Sequence, residues 1–373
     1  MKIVTVKNTS DPRVSLVPDS VKKLLRLEGI NVIVEKGVSD IFSDQEYVDA
    51  GATLMKREDA LKNADIILGV SKPVEEDLDE FKPNTLSISF LDVFSNKDYL
   101  EKLIAKKLSS ISLEMIPRTT LAQKMDAVSS QDSLAGYTAV IVGSEKMNKI
   151  FPMMMTPAGT IKPAKVFIIG AGVAGLQAIA TAKRLGANVI AFDTRPVVKE
   201  QVESLGGKFL SIDLGDIGQT EGGYAKVLTK EQLEIQQREM TKVIQDSDLV
   251  ITTAKLFGRK SPIIIKKEVL KGMKSGAVIV DLAASTGGNV EGTVLDKVVE
   301  VNGVTIIGDK ALATRVSKDA SIMISSNMVN LISHFWDKEN KTFDYNDDEI
   351  LEGCLVTKDG ILVNKKLKEI YGG

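Results

Sequence analysis

Apolar residues in this chain come in short runs broken by charged residues, glycine or proline, and between the runs they recur three and four positions apart. A short apolar run marks a strand, whereas three-and-four spacing marks a helix. Through Met115, the runs IVTVK, VIVEKG, DIILGV, TLSISF and SISLEM read as strands. PDSVKKLLRLEG and NKDYLEKLIAKKL read as helices between them, the first opening at Pro18 and stopping at Gly29. Strand and helix in turn predict a parallel sheet.

From Pro117 to Met155 the chain starts polar and then reads as a long amphipathic helix leading into a second unit. There VFIIGAGVAGLQAIATAKRLGANVIAFD reads as strand, glycine turn, helix and strand. A helix at PVVKEQVESLGG, a strand at KFLSID, a Gly-rich loop from Leu214 to Leu228 and a helix at KEQLEIQQREMTKVIQDS follow. DLVITTA, AVIVDLA and VTIIGD are further strands, with a helix at KKEVLKGM before the second. Five or six strands in this order predict a doubly wound sheet. DASIMISSNMVNLISHFWDK is a second long helix returning to the first unit, and CLVTKDGILVN turns a hairpin at Asp359 and Gly360. The expected fold class is α/β: two Rossmann-like domains, doubly wound parallel sheets, joined by long helices with a cleft between them. Residues 1–128 and 320–373 form the first domain in this reading, and 129–319 the second.

Gly170, Gly172 and Gly175 give the GxGxxG spacing after a strand and at the start of a helix. The first permits the tight turn, the second lets a pyrophosphate approach the backbone, and the third lets helix and strand pack closely. Asp193 ends the next strand, where a carboxylate can accept both hydroxyls of a ribose. That favours NAD over NADP, although Arg195 stands two residues later. The first unit lacks such a fingerprint and is expected to hold no dinucleotide of its own.

Composition narrows the chemistry. With 373 residues, 43% of them hydrophobic, and a formal charge of −2, the chain reads as an ordinary two-domain protein without a nucleic-acid surface. MKIVTVKNTS shows no signal peptide, and the most apolar window, Val166 to Ala182, holds the fingerprint glycines, so no membrane span is expected. A single cysteine, Cys354, excludes an internal disulfide and a cysteine-rich metal site, fitting a reducing cytoplasm. One histidine, His334, leaves few groups for proton transfer near neutral pH. The run Met153 to Met155 is expected to fill core rather than bind metal, so no metal is assigned. Asp49 and Glu114 read as solvated charges at element ends.

The segments PRTTLAQKMDAVSSQDSLAGY, IIGAGVAGLQAIATAKRLGANVIAFDTRPVVKEQVESLGGKF, GGYAKV, VITTA and VIVDLAASTGGN together resemble the NAD(H)-binding component of the proton-translocating NAD(P) transhydrogenases over nearly the whole chain. The resemblance implies NAD(H) bound here and hydride passed to NADP(H) held by a separate beta subunit, with a membrane-spanning subunit moving protons. It also implies a homodimer, peripheral on the cytoplasmic face of the inner membrane through its partners. Ending at Gly373 without a membrane segment, the sequence is similar to the first portion of an alpha subunit in the three-polypeptide bacterial arrangement.

Carried over residue by residue, Arg118, Gln123 and Asp126 match the loop against the nicotinamide end of the cofactor, with Ser129 a neighbouring contact. Val173 and Ala174 offer backbone within the glycine turn, and Asp193, Thr194 and Arg195 face the ribose. Tyr224, after Gly222 and Gly223, matches a mobile loop closing over the nucleotide, while Ala254 and Gly288 approach it by backbone. Departures occur at Leu121, at Lys255 to Gly258 and near Ala311, where the family usually carries Arg, LIPG and a Pro-containing segment. Hydride exchange between two nicotinamides needs proximity, with reacting carbons roughly 3 to 3.5 Å apart, rather than an acid or base.

The rival resemblance is to alanine dehydrogenase, where Arg13 and Lys72 would bind the substrate carboxylate and carbonyl. That chemistry moves protons and uses a His after TLSISF and an Asp before the paired glycines. Here those places read Ser89, Phe90, Leu91 and Asp92, and Ser285 and Thr286. His334, in an apolar helix, is no replacement.

Overall fold

The computed structural model describes residues 1–8, 10–214, 229–256, 258–346 and 348–371. They divide into two compact units, Met1–Gln131 with Val316–Gly373, and Asp132–Arg315. Both are α/β with parallel-rich sheets.

In the first unit the strands Ser109–Ser112, Leu86–Phe90, Ile66–Ser71, Lys2–Thr5, Asn31–Glu35 and Thr53–Met55 lie side by side in that order, all parallel. The C-terminal strands Leu355–Lys358 and Ile361–Leu362 extend the sheet beyond Ser109–Ser112 as an antiparallel hairpin. Asp359 and Gly360 turn it with φ of 50° and 81°, which an Asp-Gly pair accepts at little cost. Pro18 sits at the start of helix Pro18–Leu24, where its missing N–H costs no hydrogen bond. Helix Ser317–His334 buries Ile324, Met328, Leu331 and Ile332 in the same core.

The second unit holds seven strands in the order Lys208–Phe209, Asn188–Phe192, Lys165–Ile169, Leu249–Thr252, Val278–Asp281, Val304–Gly308 and Lys297–Val301. All pair in parallel except the last, so the order reverses beside Lys165–Ile169 as in a doubly wound dinucleotide fold. Val166 and Ile168 enter one core cluster, Phe167 and Ile169 the other. Both faces are covered, which is why this strand reads as an unbroken apolar run.

Several expectations need correction. The long amphipathic helix is only Ala127–Lys146, and it carries no single apolar face, since Tyr137 and Ile141 are exposed while Gly136 and Gly143 are buried. Its glycines permit close packing: a Cβ on Gly136 would lie 2.1 Å from the carbonyl oxygen of Ala174, and one on Gly143 2.7 Å from Leu249. Met153, Met154 and Met155 do not fill core. They are exposed, and the last two belong to a hairpin of Met154–Thr156 with Gly159–Ile161. Thr53–Met55 and the edge strand Lys297–Val301 were not anticipated. Glu114 is not merely solvated, because its carboxylate accepts the N–H groups of Leu91 and Val93. Among the described residues no helix is long and apolar enough to cross a membrane.

Candidate functional site

The carboxyl edge of the second unit's sheet is where three loops converge, and the glycine turn is the first. Gly170 takes φ 98°, and a Cβ there would also lie 2.3 Å from Thr253 Oγ1, so both conformation and space require glycine. A Cβ on Gly175 would meet the carbonyl oxygen of Gly170 at 1.9 Å. Gly172 is different: its φ is −81°, and nothing lies within 4 Å of an added Cβ. Its bulk-free side is open to an approaching ligand rather than to the protein. Helix Val173–Arg184 starts there with no side-chain cap, which leaves the first-turn amides, those of Val173, Ala174 and Gly175 among them, for an anion.

Asp193 follows the strand Asn188–Phe192 and reaches back to the turn, its Oδ2 accepting the Ala171 N–H at 2.8 Å. Its Oδ1 accepts both the backbone N–H and the Nε of Arg195, at 2.9 and 3.0 Å, and Arg195 Nη2 lies 3.1 Å from Oδ2. Burial pushes this carboxyl up, but the hydrogen bonds from Arg195 and Ala171 and the guanidinium charge outweigh it, so the group sits below the usual carboxylate range. A ribose diol must therefore share Asp193 with Arg195 or displace it. Thr194 and Arg195 are largely exposed beside it.

Ala254 and Gly288 lie on the second and third loops, and sequence reasoning missed the pair that joins them. Asn289, fully buried, has Oδ1 accepting the Ala254 N–H at 3.1 Å and Nδ2 donating to the carbonyls of Ala254 and Pro262, both at 2.9 Å. The amide of Ala254 is thus already engaged by protein. Asp281, also fully buried, accepts from Asn289 N, Val290 N, Thr293 Oγ1, Ala283 N and Thr252 Oγ1. Gly288 takes φ 79°, and a Cβ would meet Asp281 Oδ2 at 2.8 Å, so its smallness serves this packing. A carboxylate ending an apolar strand, followed by paired glycines and Asn, is the signal that was available.

In the first unit, Asp126 Oδ1 accepts the N–H of Ser129 at 2.8 Å and Oδ2 its hydroxyl at 2.6 Å, which caps helix Ala127–Lys146. Met125 and Ala122 anchor this loop in the core, while Asn327 and Asn330 both donate to the Lys124 carbonyl. Arg118 and Gln123 are exposed and make no side-chain hydrogen bond or ion pair among the described residues. Arg13 is committed elsewhere: Nε and Nη2 donate to Asp11, and Nη1 donates to Gln131 at 2.7 Å. Lys72 Nζ donates to Asn96 Oδ1 and lies over the Tyr99 ring. His334, at the end of its helix, has Nε2 3.5 Å from Asp348 Oδ2. Tyr224, Gly222 and Gly223 lie outside the described residues.

A doubly wound sheet with a glycine turn, an open second glycine and an acidic residue on the next strand defines a dinucleotide-binding α/β protein. Residues 3–135 match the alanine dehydrogenase/PNT N-terminal domain and 139–365 the C-terminal domain, and the chain belongs to this family. It is 42% identical to the first of the alpha-subunit polypeptides of the NAD(P) transhydrogenase of Rhodospirillum rubrum, over 98% of this chain and 99% of that one. The crystal structure of a transhydrogenase from Sinorhizobium meliloti superimposes with a TM-score of 0.86 at 36% identity, covering 98% of this chain and 100% of that chain. The alanine dehydrogenase of Staphylococcus saprophyticus is a more distant relative, 30% identical over 77% of this chain and 72% of its own length.

Proposed function

We propose that this chain is the NAD(H)-binding component of a proton-translocating, Re/Si-specific NAD(P) transhydrogenase. It passes hydride from NADH to NADP+ held by a separate beta subunit, while a membrane-spanning subunit moves protons. The observation that carries the reading is the contrast among the three glycines: Gly170 and Gly175 are closed by protein, and Gly172 alone is open where a pyrophosphate would approach. Similarity to a transhydrogenase alpha-subunit polypeptide along almost the full chain supports the rest. In this reading the first-turn amides of helix Val173–Arg184 hold the pyrophosphate, and Asp193 holds the ribose, with Thr194 and Arg195 beside it. Ala254 and Gly288 line the same edge.

The bound nicotinamide supplies the hydride and needs no proton from the chain. What the protein contributes is binding and orientation. Gln123 offers an amide and Arg118 a guanidinium, neither engaged among the described residues, and Asp126 and Ser129 offer a carboxylate and hydroxyl held in fixed relation; these four serve the nicotinamide end. The proposed assembly is a homodimer, peripheral on the cytoplasmic face of the inner membrane through its partners, and the exposed hairpin at Met154–Thr156 and Gly159–Ile161 is surface suited to a subunit contact.

The deciding experiment mixes the purified chain and NADH with an NADP(H)-binding transhydrogenase component and follows nucleotide reduction. Transfer that requires both proteins is the expected result. NADH binding without transfer to any such partner would reduce the chain to a binding module.

A further inference from the structure

We infer that Asn289, held by Asp281, is a positioning residue that preforms the nucleotide-facing edge of the second unit; the inference rests on the dinucleotide reading above. Asn289 uses every polar atom it has. Its side chain joins Ala254 to Pro262, the two ends of one loop, and its backbone carbonyl accepts from Ile264 N and Ile265 N. Its own N–H goes to Asp281 Oδ2 at 2.8 Å. The chain of contacts then continues to the glycine turn, because Thr253, next to Ala254, donates its hydroxyl to the carbonyl of Gly170 at 3.1 Å. Three loops that follow three different strands, Lys165–Ile169, Leu249–Thr252 and Val278–Asp281, are thus joined through one asparagine and one aspartate. Asp281 has no cationic partner among the described residues; five N–H and O–H donors satisfy it instead. A network this fully satisfied is rigid, and breaking one member leaves buried groups without partners. Neither residue needs to touch the nucleotide for this to matter, since a binding edge that is no longer preorganised must be ordered by the ligand at the expense of affinity.

The test compares Asn289→Ala, Asn289→Asp and Asp281→Asn with Ile244→Ala, a core truncation in the same unit on helix Lys230–Asp246, which is not one of the three loops. NADH titration by fluorescence, on protein shown folded by circular dichroism, should give dissociation constants raised roughly ten- to hundred-fold in the first three, the loss expected when buried donors and acceptors of the edge go unpaired. Asn289→Asp should be no better than Asn289→Ala, because it cannot donate to the two carbonyls. Ile244→Ala should lose thermal stability and keep its affinity. Hydrogen exchange without nucleotide should show the Ala254 amide losing protection in the Asn289 variants. Affinity within two-fold of wild type in Asn289→Ala, or an equal loss in Ile244→Ala, overturns the inference. Wild-type protein that does not bind NADH overturns the dinucleotide reading instead, and exchange at Ala254 then still decides whether Asn289 fixes the loop.

Discussion

A Cβ on Gly175 would stand 1.9 Å from the carbonyl oxygen of Gly170, so helix and strand meet backbone to backbone at the turn. Gly175→Ala must push the helix away, which costs about 1 to 3 kcal/mol by overpacking. Gly170→Ala adds left-handed strain at φ 98° to a clash with Thr253. Gly172→Ala meets nothing in the free protein. We therefore expect the first two variants to lower the thermal midpoint. The third should melt like wild type yet bind NADH roughly ten-fold or more weakly, since the added methyl occupies the side kept clear for pyrophosphate. Calorimetry and NADH titration of all three check this.

Asp193 and Arg195 make a pH prediction. The folded carboxyl lies below its unfolded value of about 3.9, so its contribution to stability is present above pH 4 and lost as pH falls through the folded value. In Arg195→Ala the strongest lowering influence, the guanidinium hydrogen bonds, vanishes together with the guanidinium charge, while the backbone N–H at 195 remains and burial still raises the group. The acid limb of the melting curve should then move to higher pH, as a series of thermal melts from pH 2.5 to 6 would record. An unmoved limb would mean that Arg195 does not hold Asp193 in solution.

Much of this was legible in the sequence because it is local. Gly170, Gly172, Gly175 and Asp193 are fixed by one strand-turn-helix-strand unit, and the Asp359-Gly360 hairpin by two residues with positive φ. What escaped depends on partners far along the chain. Lys297–Val301 reads as a half-exposed run, and only pairing with Val304–Gly308 makes it a strand. Met153 to Met155 are as apolar as any core residue, yet all three are exposed, the last two in a two-stranded hairpin that joins neither large sheet. Asn289 and Asp281 gain meaning from Ala254 and Pro262, dozens of positions away.

Cys354 is fully buried at the end of helix Glu349–Cys354, and burial pushes its thiol up to about 12. Thiolate is the reactive form, so the folded protein should give no colour with Ellman's reagent at pH 8. In guanidinium chloride it should release one equivalent. Rapid reaction of native protein would show that this region opens readily.

Amino-acid oxidation is not expected of this chain. In the alanine dehydrogenase resemblance Arg13 would receive a substrate carboxylate, but its side-chain hydrogen bonds go to Asp11 and Gln131. Asp11 is a carboxylate already seated on that guanidinium, with both side chains mostly buried. A substrate would have to displace it, and removing one partner of such a pair costs about 3 to 5 kcal/mol. Even an emptied site would lack a histidine, because the chain's single one lies instead beside Asp348. We therefore expect no sustained NADH formation from alanine and NAD+ with wild-type protein. Asp11→Ala should gain at most weak affinity for a 2-oxo acid, seen by calorimetry, and still no turnover. Steady turnover by wild type would return the chain to the amino-acid dehydrogenases and remove the need for any hydride-accepting partner.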